Sequence, residues 1–207
     1  MRRIVGALLV VWIAPAMNAR AQPGDLIERT LAIVGTQAIT LGDARAAVRF
    51  GLVEAERAAD PATVIQLLVD RELILREVQR YAPPAPLASA VDTRIDAVRK
   101  RLGGAVDLAR ALEEAGFTEA RLRAWVRDDL RSVAYLAQRF ASAGTPTGSE
   151  ITAAYAEQRP EFERAGTAFA QAVPILRERL VAARRRELIA DWVSDLRRRT
   201  DVVILVP

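Results

Sequence analysis

The C-terminal segment is the part of this chain that most restricts how it can fold. Residues Val202–Val206 form an uninterrupted apolar run of strand length that follows Asp201. Because polar and apolar residues do not alternate in this run, we predict a strand that is buried on both faces. Buried backbone N–H and C=O groups must be hydrogen-bonded, so this strand needs a partner strand.

The other strand-like material is a hairpin near the opposite end of the sequence, within residues 29–40. Arg29–Val34 is β-branched and apolar, Gly35–Gln37 is a turn, and Ala38–Thr40 is a second short strand. We therefore predict a small β-sheet that joins the N-terminal hairpin to the C-terminal strand. The residues between them have helical patterns, so the expected fold is mainly α, with one closed helical body and this small sheet.

Capping residues and apolar stripes at helical spacing predict a series of helices between the two β segments. Breaks are expected at Pro83–Pro86 and at Gly103-Gly104. We also predict that Pro160 ends one helix and that Pro174 starts the last one, which leaves residues 160–173 irregular. The apolar positions of the last helix drift around its axis, as in a long helix that changes partners along its length.

The first 21 residues have the pattern of a secretory leader. Arg2 and Arg3 precede an apolar stretch at Ile4–Ala14, and Ala19–Ala21 matches a small-x-small cleavage site. We predict a signal peptide over residues 1–21, with cleavage after Ala21 and export of the remaining chain. The apolar stretch is shorter than the roughly 20 residues that span a bilayer, although an uncleaved anchor is the alternative.

The chain contains no histidine and no cysteine, which excludes most common catalytic sites. Triads with histidine, thiolate nucleophiles and histidine or thiolate metal sites all require these residues. The adjacent acids Glu113-Glu114 and Asp128-Asp129 diverge on helices, so we interpret them as solvated charge. We expect no cofactor and no catalysis. Removing the leader with its three arginines lowers the formal charge from +4 to about +1, which argues against nucleic-acid binding.

The basic run Arg184–Arg186 lies on the predicted last helix and has two interpretations. It could contact an anionic membrane, or it could form a solvated face with Glu178 and Glu187 as neighbouring partners. The second interpretation is favoured because charge runs on helices are commonly solvated.

Aromatic side chains are the candidate contact residues if the protein binds other chains. Helical spacing favours a core position for any one of them, and the alternative is that some line an apolar groove for extended segments. Phe162 and Phe169 fall in the stretch predicted to be irregular, so they either plug the body or form an exposed contact. The candidate peptide-binding residues are Tyr81, Phe117, Tyr135, Phe140, Tyr155, Phe162 and Phe169.

Several stretches match, in order and spacing, segments of one family of folding proteins. They are LAIVGTQAITLGD at 31–43, VDRELIL at 69–75, LEEAGFTEARL at 112–122, Arg139-Phe140, SEITAAY at 149–155 and the closing segment Asp191–Val206. Each is largely a hydrophobic pattern, but together they resemble the chaperone part of SurA-like periplasmic proteins of the parvulin type. Gly35 stands where that family often has Asn, which is also compatible with a turn.

The resemblance implies a domain organisation without the family's isomerase domain. That domain needs roughly 90 residues, whereas only Gln158–Val173 separates the matching lead-in and closing helices. The family's isomerase sites also use histidines beside Cys or Asp. We therefore expect a SurA-like region at 22–142, a linker and short helix at 143–173 in place of the isomerase domain, and a closing helix and strand at 174–207 that pack back on the first region.

From this resemblance we expect a periplasmic holdase-type chaperone. It would bind apolar and aromatic segments of unfolded envelope or outer-membrane proteins, without nucleic acid and without stable membrane insertion once the leader is removed. The alternatives are an adaptor for one dedicated envelope partner and a residual peptidyl-prolyl isomerase.

Overall fold

The computed structural model describes residues 29–53, 60–142 and 144–205. The predicted signal peptide and its cleavage site at Ala21 lie outside these residues. None of the described helices is long and apolar enough to cross a membrane. The elements are β1 (Thr30–Val34), β2 (Gln37–Thr40), α1 (Leu41–Arg49), α2 (Pro61–Tyr81), α3 (Ala88–Leu102), α4 (Ala105–Glu114), α5 (Glu119–Arg139), α6 (Gly148–Arg164), α7 (Phe169–Arg199) and β3 (Val202–Ile204).

The three strands form an antiparallel sheet in the order β2-β1-β3. The C-terminal strand lies beside β1, with Val34 opposite Val202. The backbone N–H of Gly35 also donates to the carbonyl oxygen of Asp201 at 2.8 Å. The predicted fold is thus confirmed: the protein is mainly helical, and its small sheet joins the N-terminal hairpin to a C-terminal strand.

The expected burial of the C-terminal strand on both faces is wrong. Val202 is half-buried and packs against the core, but Val203 and Ile204 are each 42% exposed. Within the described residues β3 pairs with β1 alone, so it is an edge strand and lacks a neighbour on its other side. The strand ends at Ile204, and Val206 lies outside the described residues.

Helix starts follow the local chemistry that the sequence predicted. Thr40 caps α1: its hydroxyl oxygen accepts from the backbone N–H of Asp43 at 3.2 Å. In the reciprocal bond, the Asp43 carboxylate accepts from the backbone N–H of Thr40 at 2.9 Å. Asp60 caps α2 ahead of Pro61, which occupies the first helical position. These caps satisfy backbone donors that have no partner within the helix.

The main core lies between the sheet and helices α1 to α5. Helix α2 is central, because it packs against β1, β2, α1, α5 and α7. Leu196, near the end of α7, also belongs to this core, so the last helix is anchored at its C-terminal end. Each large side chain that is fully buried contributes about 1.5–3 kcal/mol. The largest in this core are Phe50, Leu73, Ile95 and Leu122.

A second, smaller core lies between α6 and the first half of α7. Phe162 and Ile151 of α6 pack there with Ala172 and Leu176 of α7, and the two helices are in contact along this length. We refer to α6 and residues 169–180 of α7 as the arm. Its buried cluster is separate from the main core, and the second half of α7 connects the two.

The expected helix boundaries at Pro160 and Pro174 are wrong, because both prolines lie inside helices. Residues 160–173 are therefore mostly helical. The break falls at Gly166, which has a positive φ of 65° and follows Ala165, the C-cap of α6. The N–H of Thr167 donates to the carbonyl oxygen of Phe162 at 2.9 Å, a bond that closes the end of α6. Burial of Phe162 offsets the backbone bond that Pro160 removes.

Candidate functional site

A groove of about 750 Å³ runs between α2, α5 and α7. Helix α2 packs against both of the others. Lining residues recur on each helix at intervals of three or four, so one face of each helix is turned toward the groove. The apolar lining includes Leu67 and Ile74 of α2, Val133 and Leu136 of α5, and Ile189 and Val193 of α7. We call this the three-helix groove.

The groove exposes apolar surface that a folded chain normally buries. Val133 is 65% exposed, while Leu67, Ile74 and Ile189 are half-buried. Val193 of α7, which also lines the groove, is buried. Exposed apolar surface gathered in one concave site is typical of a binding region, whereas scattered apolar residues on a surface are ordinary.

An arginine of α2 holds the α5 wall of the groove. The Arg71 Nε donates to the Asp129 carboxylate at 2.8 Å, and its guanidinium lies 4.0 Å from the ring centroid of Trp125. Burial raises the pKa of the Asp129 carboxyl, and the positive charge of Arg71 opposes that rise. Asp129 is therefore a partly buried ion-pair partner rather than the solvated charge that the sequence suggested.

A second arginine fixes α7 against α2. The Nε of Arg197 donates to the Asp70 carboxylate at 2.7 Å, and a terminal nitrogen donates to the carbonyl oxygen of Gln66 at 3.1 Å. Both acids that line the groove are thus paired with arginines. These bonds join α2 to α5 and to α7, so they support the walls of the groove.

Aromatic residues of the same three helices form a cluster beside the groove. Tyr81 of α2 stacks on Tyr135 of α5 at 5.6 Å, and Tyr135 lies 6.1 Å from Trp192 of α7. Phe140 packs edge-on against Trp192 at 5.7 Å, and the Arg139 guanidinium lies 5.0 Å from the Trp192 ring. Tyr81 is exposed and Tyr135 is buried, so the cluster presents one tyrosine ring to solvent.

Three of the predicted contact residues, Tyr81, Tyr135 and Phe140, therefore lie together. Trp192, which the sequence places on an apolar helix stripe, completes their cluster. None of the predicted aromatic residues lines the three-helix groove itself, whose lining combines aliphatic side chains with arginine, aspartate and serine side chains. The drifting apolar stripe of α7 was the sequence signal for this face, because it implied a change of partner along the helix.

The other predicted aromatic residues lie elsewhere. Phe117 is buried in the main core, 6.0 Å from Phe50, where its ring holds helices together. Tyr155, Phe162 and Phe169 form a cluster in the arm, with Tyr155 at 5.5 Å and 5.0 Å from the other two rings. Phe169 is the exposed member and Phe162 is buried. The seven aromatic residues therefore belong to three separate groups.

Two of the remaining charged candidates, Arg184 and Glu114, have structural partners, whereas Arg186 of the same basic run lines the three-helix groove. Arg184, from the basic run on α7, donates to the carbonyl oxygen of Gly144 at 3.0 Å and also bonds Glu150. Glu114 pairs with Arg49 at 3.3 Å. Across the described part of the chain, no group of three or more acidic residues is arranged to hold a metal ion.

Comparison with known proteins gives no assignment. No protein-family model matches the sequence, and no curated protein matches it.

Proposed function

We propose that the protein is a holdase-type chaperone, exported to the periplasm, that binds apolar segments of unfolded envelope proteins. The observation that carries this proposal is the three-helix groove, in which exposed aliphatic side chains lie in a concave site. Aliphatic side chains beside arginines and serines would admit many sequences, because apolar contacts do not select a single one.

Binding of this kind needs neither a cofactor nor chemical energy. A client segment would bury Val133 and the neighbouring aliphatic residues and would release in reversible exchange. The ordering of a flexible client opposes association, so we expect modest affinity, with a Kd on the order of micromolar.

Export rests on the sequence. The basic, apolar and small-residue segments of positions 1–21 have the order of a secretory leader. The resemblance to SurA-like proteins supports the same compartment and client class, and the absence of histidine and cysteine supports binding without isomerisation.

An aggregation assay tests the proposal. Light scattering of two unrelated denatured proteins should fall when the protein is added at an equal or severalfold molar amount. The variant Val133→Asp places a charge on the exposed groove wall and should abolish most of this effect, since a buried unpaired carboxylate opposes binding of an apolar segment. Val106→Asp is the matched control, because Val106 is 78% exposed on α4 and does not line the groove.

Two results would contradict the holdase proposal. If the wild-type protein suppresses aggregation of neither client but captures one folded envelope protein, the adaptor alternative replaces it. If Val133→Asp and Val106→Asp suppress aggregation as well as the wild type does, the three-helix groove is not the client site.

A further inference from the structure

A second concave site lies on another part of the molecule, between the hairpin and helices α1, α2 and α4. Its volume is about 590 Å³, within the range of small-molecule sites. We call it the hairpin pocket. Its inner wall consists of buried Leu31 of β1, Val64 and Ile65 of α2 and Ala111 of α4, and Val48 of α1, which is 45% exposed, also lines it.

Basic side chains also line the hairpin pocket. Arg29, Arg45 and Arg49 line it together with a single acid, Glu114, which pairs with Arg49 at 3.3 Å. Neither Arg29 nor Arg45 has an acidic partner among the residues that the structure describes. The lining thus has an excess of positive charge beside an apolar interior, which favours a ligand with one anionic group and one apolar part.

The apolar lining of the hairpin pocket favours an alkyl chain over a peptide. The uncharged residues that line the pocket are Leu, Val, Ile, Ala and Pro, whose side chains offer no hydrogen-bond partner. A peptide would bring backbone N–H and C=O groups that need partners when they are buried. An alkyl chain has no such groups, and a carboxylate at its end can accept charge-assisted bonds from guanidinium groups.

We propose that the hairpin pocket binds a free long-chain fatty acid, with the alkyl chain against Leu31, Val48 and Ile65 and the carboxylate beside Arg29 and Arg45. This site is separate from the three-helix groove, so it does not depend on the proposed chaperone function. The two can be tested independently with two exposed valines, Val48 in the pocket and Val133 in the groove.

Isothermal titration calorimetry of the full chain tests this proposal. The ligands are octanoate, decanoate and dodecanoate below their micelle concentrations, and dodecyltrimethylammonium is the cationic control. Each buried methylene raises affinity about fourfold, so each two-carbon extension should raise it about fifteenfold until the pocket is full. The cationic amphiphile should bind at least tenfold more weakly than dodecanoate.

Two single variants and one double variant test whether dodecanoate binds in the hairpin pocket. Val48→Asp should weaken dodecanoate binding more than tenfold, whereas Val133→Asp should leave it within twofold. The double variant Arg29→Gln/Arg45→Gln should remove the preference for dodecanoate over the cationic amphiphile, because the charge that distinguishes them is gone.

Three results would overturn the proposal. The first is an absence of fatty-acid binding by the full chain, and the second is equal affinity for the anionic and cationic amphiphiles. The third is binding to phosphatidylglycerol vesicles without binding to monomeric dodecanoate, which would indicate a membrane surface instead. Loss of aggregation suppression in Val133→Asp with intact dodecanoate binding would support two separate sites.

Discussion

At the scale of single residues, the hairpin turn depends on a close approach between Gly35 and Arg76. Gly35 has a φ of +60°, which favours glycine. A Cβ at this position would overlap a terminal nitrogen of Arg76, and that nitrogen donates to the carbonyl oxygen of Val34 at 3.1 Å. The guanidinium of α2 therefore occupies the space that a side chain in the turn would need.

The variant Gly35→Asn tests this coupling. Asn tolerates positive φ, but its Cβ must displace Arg76 and disrupt the bond to Val34, so we expect a loss of about 1–2 kcal/mol in the free energy of unfolding. In an Arg76→Ala background the same substitution should lose little, because the space is then open. Urea denaturation of the two single variants and the double variant measures the coupling. Additive losses would show that backbone strain alone disfavours Asn.

Some of the contacts made by single residues could be predicted from the sequence, and others could not. Thr40 and Asp60 could be assigned as caps because a cap involves residues that adjoin in the chain. The need for Gly35 could not be derived, because Arg76 is distant in sequence and reaches the turn only through the packing of α2 on the sheet.

At the scale of elements, the start of α6 is held by a carboxylate with an unusual set of partners. The backbone N–H and hydroxyl of Thr147 both donate to Glu150, and Arg184 of α7 bonds its other oxygen. These contacts, with the backbone N–H of Thr147 as the largest cause, lower the pKa of Glu150 to about 2. The same residue therefore caps α6 and joins it to α7.

The lowered pKa of Glu150 makes the stability of the start of α6 depend on pH. Because the folded-state pKa lies below the ordinary value, ionised Glu150 stabilises the fold above about pH 4.5, and this contribution is lost as pH falls toward 2. We expect hydrogen exchange at the N-terminal turn of α6 to accelerate over this range, relative to α2. In Glu150→Gln the turn should be less protected at neutral pH and should lack this acid-dependent step. A wild-type profile without the step would contradict the assignment.

The prolines show why element boundaries could not all be derived from the sequence. Pro160 and Pro174 have the local chemistry of helix ends, yet both helices continue through them. The deciding factor is the burial of Phe162 with Ala172 and Leu176, a contact between two helices. Gly166 was the local signal for the true break, because glycine commonly follows a helix C-terminus.

At the scale of the whole molecule, the pairing of the C-terminal strand with the N-terminal hairpin could be predicted from the sequence. The location of the three-helix groove could not. A lone apolar strand near the C-terminus requires a partner, and only the hairpin could supply one. The three-helix groove, by contrast, depends on the separation of α5 and α7 across α2. The ion pairs of Arg71 and Arg197 link α2 to these helices across sequence separations of 58 and 127 residues, which no sequence periodicity specifies.

The division into two cores implies two units of unequal stability. The arm encloses a small cluster around Phe162, while the main core spans the sheet and five helices, with Leu122 fully buried. The second half of α7 remains fixed to the main body by Leu196 and Arg197. Local unfolding of the arm should therefore leave the three-helix groove in place.

The variant Phe162→Ala tests this independence. Loss of the buried ring should cost the arm about 3–5 kcal/mol, so hydrogen-exchange mass spectrometry should show lost protection in α6 and in residues 169–180. Protection of α2 to α5 should stay unchanged, and aggregation suppression should persist, because the groove lies outside the arm. Leu122→Ala is the matched variant in the main core and should reduce protection throughout α2 to α5. If Phe162→Ala exposes α2 to α5 to the same extent, the molecule unfolds as one unit and the arm is not separable from the groove.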